Sequence, residues 1–383
     1  MIDENKRPLT DPTAGAETFE DAAPLDTALC MSGGGYRAMI FHLGTLIRLN
    51  EAGLLPKIAM YSSVSGGSIT NAVLGLAWNK LDFDGAGVAS NLMPLVVDKV
   101  RTLADVTVDE ESIVEGLLWF GTVSDHVAAD YDKYLFHGAT LQQLPDTPRF
   151  VFNATNVQTR SLFRFSKPYI ADYRIGLWRN PNVAISKAVT ASSAFPPVLS
   201  PCTLKAEEKD WEAEGRGDLC MKPYNTKLVL TDGGVYDNLG LESPWKRCKT
   251  IYVSDAGGAT PAEKDPDKNW VGHSKRVLDL IDTQVRSLRK RMLISAYQAK
   301  EKNGAYWGIR QDIAEYKAGG RLDVPFAKSL ELANTATRLK KMDDLLQERL
   351  INWGYAITDA AVRSYAHPEL AGPKGLPYPG SGI

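Results

Sequence analysis

Short apolar strands, small-residue turns and helices alternate near the start of the chain, and this pattern limits the possible folds most. Residues 27–31 (TALCM) predict a strand that leads into three glycines, and residues 38–50 predict a helix that stops near Gly53. A second strand at 58–61 enters a turn at 62–68, and an apolar helix follows to about Trp78. We therefore expect an α/β fold with a mostly parallel central sheet.

The rest of the chain continues this mixed pattern. We expect a disordered N-terminal arm over residues 1–26, one domain over 27–370 and an irregular tail over 371–383. The arm has no apolar stretch, so we do not expect it to be a signal peptide. The further expected elements are helical segments within 87–135, two strands within 148–166, a helix at 182–191, a polar surface insertion at 203–223, strands at 227–231 and 250–254, and helices at 273–300 and 335–353.

Composition excludes a general attraction to polyanions. The formal net charge is −2, with 44% hydrophobic and 23% charged residues, which is ordinary for a globular protein. We expect no nucleic-acid partner, and any contact with a membrane has to come from a local patch. No apolar run approaches the roughly 18 residues of a spanning helix, so a cytoplasmic protein with peripheral membrane contact is the expectation.

The cysteines and histidines indicate no metal site. Cys30 and Cys248 lie in or beside apolar strands, where reduced buried thiols are usual. Cys202 and Cys220 flank the polar insertion and either pair or stay reduced. The five histidines lack the spacing of metal ligands, and we expect neither a metal nor another cofactor.

The glycines at 33–35 follow the first strand and precede a helix. Backbone N–H groups in such a turn converge near the positive end of the helix, where they suit a developing negative charge. The alternative is a dinucleotide site, because Gly33, Gly35 and Ala38 fit the pattern G-x-G-x-x-A. That site needs an acidic residue at the end of the next strand, and this strand ends in Tyr-Ser-Ser.

Ser65 stands in the second turn, SVSGGS at 63–68. A serine on a sharp corner between strand and helix, flanked by small residues, has the arrangement of a nucleophile elbow. The usual pattern is G-x-S-x-G, and Ser63 replaces its first glycine. The helix that follows favours negative charge beside the hydroxyl.

Two aspartates compete as the partner of this serine. Asp232 and Asp255 each end an apolar strand and precede paired glycines. Ligands in open α/β sheets gather at the carboxyl ends of strands, so either carboxylate is a candidate base. A Ser–Asp–His triad is the alternative, and His367 is its candidate histidine.

Four motifs in one order resemble a known family. They are GGGYR at 33–37, the Ser65 elbow, ASSAFPP at 191–197 and DGG at 232–234. Together they look like the patatin-like phospholipases and are similar to the catalytic domain of the group IV cytosolic phospholipases. The resemblance covers about residues 27–260.

This resemblance implies a three-layer α/β/α fold and a Ser65–Asp232 dyad that works without histidine. Ser65 would attack a fatty-acyl ester of a phospholipid or lysophospholipid, and Asp232 would take its proton. The N–H groups of Gly33, Gly34 and Gly35 would form the oxyanion hole. Arg37 would bind the lipid phosphate or, alternatively, form an ion pair at the helix start. A signal-activated effector or lipid sensor with conditional hydrolysis is the second functional hypothesis.

The expected helix at 273–300 is amphipathic. Its apolar positions include Val277, Ile281 and Leu288, and its other face carries Arg286, Arg289, Lys290 and Arg291. The basic face is either solvated or placed against an anionic bilayer.

Overall fold

The computed structural model describes residues 25–108 and 122–383. The expected N-terminal arm therefore lies outside the described residues except for its last two, as does part of the segment at 87–135. The strands are β1 (Leu25–Met31), β2 (Met60–Val64), β3 (Arg149–Asn156), β4 (Ser161–Phe165), β5 (Tyr169–Asp172), β6 (Gly176–Arg179), β7 (Cys202–Lys205), β8 (Trp211–Glu212), β9 (Lys227–Asp232), β10 (Cys248–Asp255) and β11 (Asn303–Gly308).

The helices cover both faces of the sheet that these strands form. They are α1 (Gly35–Glu51), α2 (Gly66–Ala77), α3 (Asp98–Ala104), α4 (Val123–Tyr131), α5 (Ile185–Ser193), α6 (Gly234–Asp237), α7 (Glu242–Trp245), α8 (Trp270–Gln298), α9 (Phe326–Ala333) and α10 (Asp344–Tyr365). Short π-helical turns precede α3 and follow α4.

The sheet has a parallel half and an antiparallel half. Strands β11, β10, β1, β2 and β3 are adjacent in this order, and all of these neighbours are parallel. Beyond β3, strands β4, β5, β6 and β8 continue the sheet with antiparallel pairing. The predicted α/β fold with a mostly parallel central sheet is confirmed around the parallel half, which carries the turns at Gly33 and Ser65.

Alternating side chains of the strands supply two hydrophobic cores. Leu29, Met31 and Tyr61 belong to the large core that also contains α1, α2 and α10. Cys30 and Met60, from the same two strands, belong to a smaller core on the other face. This alternation buries both faces of the central strands, which explains their nearly continuous apolar sequence.

Several predicted elements have different limits. The helix expected at 335–353 begins at Asp344 and ends at Tyr365, because the Asp343 side chain caps it by accepting a hydrogen bond from the N–H of Leu346 at 2.9 Å. The segment at 203–223 is wrongly predicted as a plain surface insertion, since it contributes β8 and most of β7, and β7 pairs with β9.

The four cysteines are free thiols, so the alternative of a Cys202–Cys220 disulfide is wrong for this structure. Residues 371–383 contain neither helix nor strand, yet they contact the body, because the Asn352 amide donates to the carbonyls of Tyr378 and Gly382 at 2.8 Å. Among the described residues, no helix is both long enough and apolar enough to cross a membrane.

Helices α1 and α10 approach each other backbone to backbone. A Cβ atom added to Gly44 would lie 2.0 Å from the carbonyl oxygen of Ile351, and one added to Gly354 would lie 2.1 Å from that of Phe41. Neither backbone can yield without moving a buried helix, so both positions require glycine.

Replacing Gly354 by alanine should therefore destabilise the protein. We expect Gly354→Ala to lower the free energy of unfolding by about 1–3 kcal/mol through overpacking, measured by urea denaturation. Gly85→Ala is the matched control, because no atom lies within 4 Å of its added Cβ. Equal stability of the two variants would contradict the proposed packing constraint.

Candidate active site

Ser65 and Asp232 meet because two strands share one edge of β3. Strand β2 pairs with the first part of β3 and ends where Val64 faces Asn153. Strand β9 runs the opposite way along the later part of β3 and ends where Asp232 faces Ala154. Since β4 occupies the other edge of β3, β2 and β9 lie on the same edge with their carboxyl ends toward each other. The residues at these two ends therefore occupy one level of the sheet.

The Ser65 turn has the strained backbone of a sharp elbow. Ser65 has φ 51°, a conformation that is uncommon for residues other than glycine, and its side chain is 8% exposed. A Cβ atom at Gly66 would lie 2.0 Å from the Gly35 carbonyl oxygen, so glycine is required where the two turns touch. The serine is thus held directly beside the glycine turn.

Ser192 ties the Ser65 turn to the Asp232 turn. Its carbonyl oxygen accepts hydrogen bonds from the N–H groups of Ser65 and Gly233, both at 3.2 Å. Its hydroxyl accepts from the Ser65 N–H at 3.0 Å and donates to the Asn153 carbonyl at 2.6 Å. The motif at 191–197 therefore supports both candidate catalytic residues from the last turn of α5.

Asp232 is buried and incompletely hydrogen-bonded. Its Oδ1 accepts from the Gly234 N–H at 2.6 Å, whereas its Oδ2 has no partner with hydrogen-bond geometry among the described residues. Burial raises the pKa of this carboxyl to about 7, although the Gly234 N–H and the nearby Ser65 hydroxyl lower it and the Asp282 charge raises it further. The carboxyl can thus gain or lose a proton near neutral pH.

The glycine turn leaves two of its three N–H groups available. The Gly33 N–H donates to the Asn238 carbonyl at 3.2 Å. Neither Gly34 nor Gly35 donates to an acceptor within residues 25–108 and 122–383. The turn is close to the serine, because a Cβ atom on Gly33 would lie 3.0 Å from the Ser65 Cβ.

Arg37 is a structural anchor as well as a buried charge. Its Nε and Nη2 donate to the Ala256 carbonyl at 3.2 and 3.0 Å, and its Nη1 donates to the Thr335 carbonyl. The side chain is 2% exposed, and burial, with a smaller contribution from Arg310, lowers its pKa to about 10. Its guanidinium is bonded to carbonyls, which differs from the ion pair considered as an alternative.

The competing residues lie elsewhere. Asp255 ends β10, which is separated from β2 by β1, and its oxygens accept from the Gly257 N–H at 2.8 Å and the Tyr306 hydroxyl at 2.7 Å. His367 bonds to Tyr252 at 2.8 Å and to Glu369 at 2.9 Å. The structure therefore does not bring His367 or Asp255 beside Ser65.

Two further residues, which were not predicted from the sequence, lie near these turns. The Asn238 side chain lies between the turns, with its Oδ1 2.5 Å from a Cβ added to Gly33 and 2.7 Å from one added to Gly234. Arg310 and Arg37 line a cavity of about 460 Å³. Asn238 lies six residues after Asp232, so its closeness in sequence to the DGG motif could have indicated that it lies near the site. Arg310 is not close to any of the four motifs.

Comparison with known proteins identifies the family. A family model for patatin-like phospholipases matches residues 29–245. The chain belongs to the patatin-like phospholipase family, as its four motifs suggested. No protein with a curated description matches the sequence.

Solved structures share the fold at low identity. Human GIVD cytosolic phospholipase A2 has a TM-score of 0.53 and 15% identity, over 88% of this chain and 59% of that chain. The same human protein in complex with methyl gamma-linolenyl fluorophosphonate has a TM-score of 0.52 and 15% identity, over 89% of this chain and 58% of that chain. The chain thus spans less than two thirds of the length of these structures.

The buried Asp232 should make stability depend on pH. Its pKa is about 7 in the folded protein. The ordinary pKa of an aspartate is about 3.9, so the folded state holds an extra proton between these two pH values. The contribution of Asp232 to the free energy of unfolding is therefore fully present at low pH, and it is lost as the pH rises toward and through 7. Between pH 4 and 8, we expect the free energy of unfolding of the wild type to fall by about 4 kcal/mol relative to that of Asp232→Asn, measured by urea denaturation.

Asp265→Asn is the control, since the exposed Asp265 carboxylate forms a surface ion pair with Lys268. This variant should follow the wild type at every pH. A stability difference between wild type and Asp232→Asn that does not change with pH would contradict the assigned pKa.

Proposed function

We propose that this protein is a lipid acyl hydrolase that cleaves fatty-acyl esters with a Ser65–Asp232 dyad and an acyl-enzyme intermediate. The observation that carries the proposal is the buried Asp232 carboxyl, with a pKa of about 7, beside a serine on a strained turn. Membership of the patatin-like phospholipase family supports a lipid substrate.

In the first half-reaction, the Ser65 hydroxyl oxygen attacks the ester carbonyl carbon while ionised Asp232 takes the hydroxyl proton. Negative charge develops on the carbonyl oxygen. The available N–H groups of Gly34 and Gly35 stabilise it at the start of α1, while the Gly33 N–H holds the turn through Asn238. The bond between the acyl carbon and the ester oxygen then breaks, and the proton on Asp232 passes to this oxygen, which leaves as the alcohol.

In the second half-reaction, water replaces the alcohol. Asp232 takes a proton from the water, whose oxygen attacks the acyl carbon, and the bond to Ser65 breaks. The proton returns to the Ser65 oxygen, which restores the dyad and releases the fatty acid. One carboxyl thus serves as base and acid in turn, which suits a pKa near working pH.

The phosphate of a phospholipid would lie in the cavity beside Arg37. This cavity is also lined by Arg310, whose Nη2 donates to Asn334 Oδ1 at 2.7 Å and whose Nε has no partner among the described residues. Arg37 is buried and already donates three of its N–H groups to backbone carbonyls, so we assign it a long-range electrostatic role and Arg310 the direct contact.

The dyad predicts a specific pattern of lost activity. We expect Ser65→Ala and Asp232→Asn each to lower the rate of hydrolysis of a short-chain ester by a factor on the order of 10⁴ or more. His367→Ala should hydrolyse this ester at the wild-type rate. A fluorophosphonate probe should label Ser65, detected by mass spectrometry. The wild-type rate should rise with pH through about 7, because Asp232 acts in its ionised form.

Loss of activity in His367→Ala with an intact fold would instead support the triad. Wild-type protein that is inactive on short-chain esters and phospholipid vesicles, yet labelled at Ser65, would support the signal-activated effector. Ser65→Ala protein that hydrolyses esters at the wild-type rate would refute the dyad.

Arg310 should matter only for phosphate-containing substrates. We expect Arg310→Gln to raise KM for a monomeric short-chain phospholipid by about tenfold, the loss of one charge-assisted hydrogen bond, and to leave hydrolysis of a neutral ester unchanged. Arg321→Gln is the matched control, because Arg321 is an exposed arginine outside the lining of this cavity. Equal effects of Arg310→Gln on both substrates would contradict the assignment.

A further inference from the structure

The side chain of Asn238 lies in a slot between three glycines. A Cβ atom added to Gly33 would lie 2.5 Å from Asn238 Oδ1, and one added to Gly234 would lie 2.7 Å from the same oxygen. A Cβ atom added to Gly257 would lie 3.3 Å from Asn238 Nδ2. These glycines follow β1, β9 and β10, so the carboxamide contacts the turns at the carboxyl ends of three strands.

The backbone is held on both sides of Asn238. The Asn238 carbonyl oxygen accepts a hydrogen bond from the Gly33 N–H at 3.2 Å. The buried Asp237 carboxyl accepts from the N–H of Leu239 at 3.1 Å and from the N–H of Glu242 at 2.7 Å. The place of the carboxamide is therefore set by backbone hydrogen bonds and does not depend on hydrogen bonds of the carboxamide itself.

Helix α8 closes the Gly257 side of this slot. Arg286 Nη1 lies 2.6 Å from a Cβ atom added to Gly257, and Arg289 pairs with Glu242 at 2.6 Å. Both arginines face the protein, so the alternative that they lie against an anionic bilayer is wrong for these two. The Nδ2 of Asn238 is on the side of this helix, and its Oδ1 is on the side of the glycine turn.

The carboxamide of Asn238 has unused hydrogen-bonding capacity. Among the described residues, neither its Oδ1 nor its Nδ2 makes a hydrogen bond, and neither atom is sealed from solvent in this half-buried residue. Amides in the interior of proteins normally pair with a neighbouring polar group. A carboxamide that is held in place without a partner is available to a molecule that enters the site.

Asn238 Oδ1 lies next to both members of the dyad. The Ser65 Cβ lies 3.0 Å from the position of a Cβ on Gly33, and Asn238 Oδ1 lies 2.5 Å from that point. Asp232 Oδ1 lies 2.9 Å from the position of a Cβ on Gly234, and Asn238 Oδ1 lies 2.7 Å from that second point. A water molecule beside Ser65 and Asp232 is therefore within reach of Asn238 Oδ1.

We propose that Asn238 is a catalytic residue that orients the attacking water of the second half-reaction. The proposal rests on the proposed function, because it requires an acyl group on Ser65. One O–H of the water donates to Asp232, which takes this proton, and the other donates to Asn238 Oδ1 and stays with the product. The water oxygen bonds to the acyl carbon, the bond from this carbon to the Ser65 oxygen breaks, and the proton on Asp232 passes to that oxygen.

Water needs this second acceptor, whereas the Ser65 hydroxyl does not. A water molecule held by Asp232 alone rotates about that hydrogen bond, so its lone pair is not fixed toward the acyl carbon. The Ser65 hydroxyl has one proton to donate and is oriented by its own covalent bond to Cβ. Because orientation of the reacting groups lowers the barrier, removing the Asn238 amide should slow deacylation and leave acylation unchanged.

Methanol provides the test, since it has a single O–H and needs no second acceptor. In buffer that contains methanol, the acyl-enzyme formed from a nitrophenyl ester yields either the fatty acid or its methyl ester, and gas chromatography measures both. We expect Asn238→Leu to raise the ratio of methyl ester to fatty acid by about tenfold, through the loss of one hydrogen bond to water. Asn238→Asp keeps an acceptor and should keep the wild-type ratio.

Asn303→Leu is the matched control, because Asn303 is an exposed asparagine at the amino end of β11, away from the candidate active site. It should keep the wild-type ratio. The ratio is set within each turnover, so it does not depend on the fraction of the protein that is folded. Should Asn238→Leu fail to fold, Asn238→Ala removes the same acceptor with a smaller side chain and should raise the ratio in the same direction.

An unchanged ratio in these variants would overturn the role of Asn238. Release of nitrophenol in the first turnover that is slowed as much as deacylation would overturn it as well, because a purely structural residue would affect both half-reactions. Wild-type protein that forms no acyl-enzyme on Ser65, examined by mass spectrometry, would instead refute the proposed function itself.

Discussion

The shared edge of β3 is the constraint on which the candidate active site depends. Strand β2 runs parallel to β3 along this edge and ends at Val64, whereas β9 runs antiparallel to β3 and ends at Asp232. Neither strand can therefore lengthen without displacing the other. Hydrogen bonds of the sheet therefore set the distance between Ser65 and Asp232. Because a sheet register changes only in whole residues, the relation between the two side chains is rigid. Two side chains on flexible loops would lack this fixed distance and orientation.

Burial then raises the pKa of the Asp232 carboxyl into the neutral range. Asp232 lies where its carboxylate is poorly solvated, and the Gly234 N–H compensates for only part of the lost hydration. A carboxyl at the surface would be ionised throughout the neutral range and would be a weak base. The same burial makes Asp232 costly for folding, which is the usual relation between function and stability at an active site.

Local patterns predicted the turns but not how strands from distant segments meet. Ser65, Asp232 and the glycines at 33–35 stand out because each follows an apolar strand and precedes small residues. Their convergence depends on β9 pairing with β3, a contact between segments about 75 residues apart that no local pattern specifies. Arg310 was missed for a similar reason, since tertiary packing alone places it beside Arg37. The strands β5, β6 and β8 were missed because they are short.

Helix α8 is attached to the protein with fewer buried apolar side chains than α1 and α10. Helices such as α1 and α10 are held by apolar contact, and separating them would expose much buried hydrocarbon to water. Separating α8 would expose Leu293, Ala296 and the partly buried Ile294 and Tyr297. It would also hydrate the Arg286 hydrogen bond to the Gly258 carbonyl and the Arg289 ion pair with Glu242. Salt screens such partly buried pairs less than exposed ones, and it leaves hydrophobic packing intact. We therefore expect ionic strength to affect the attachment of α8 more than the packing of α1 against α10.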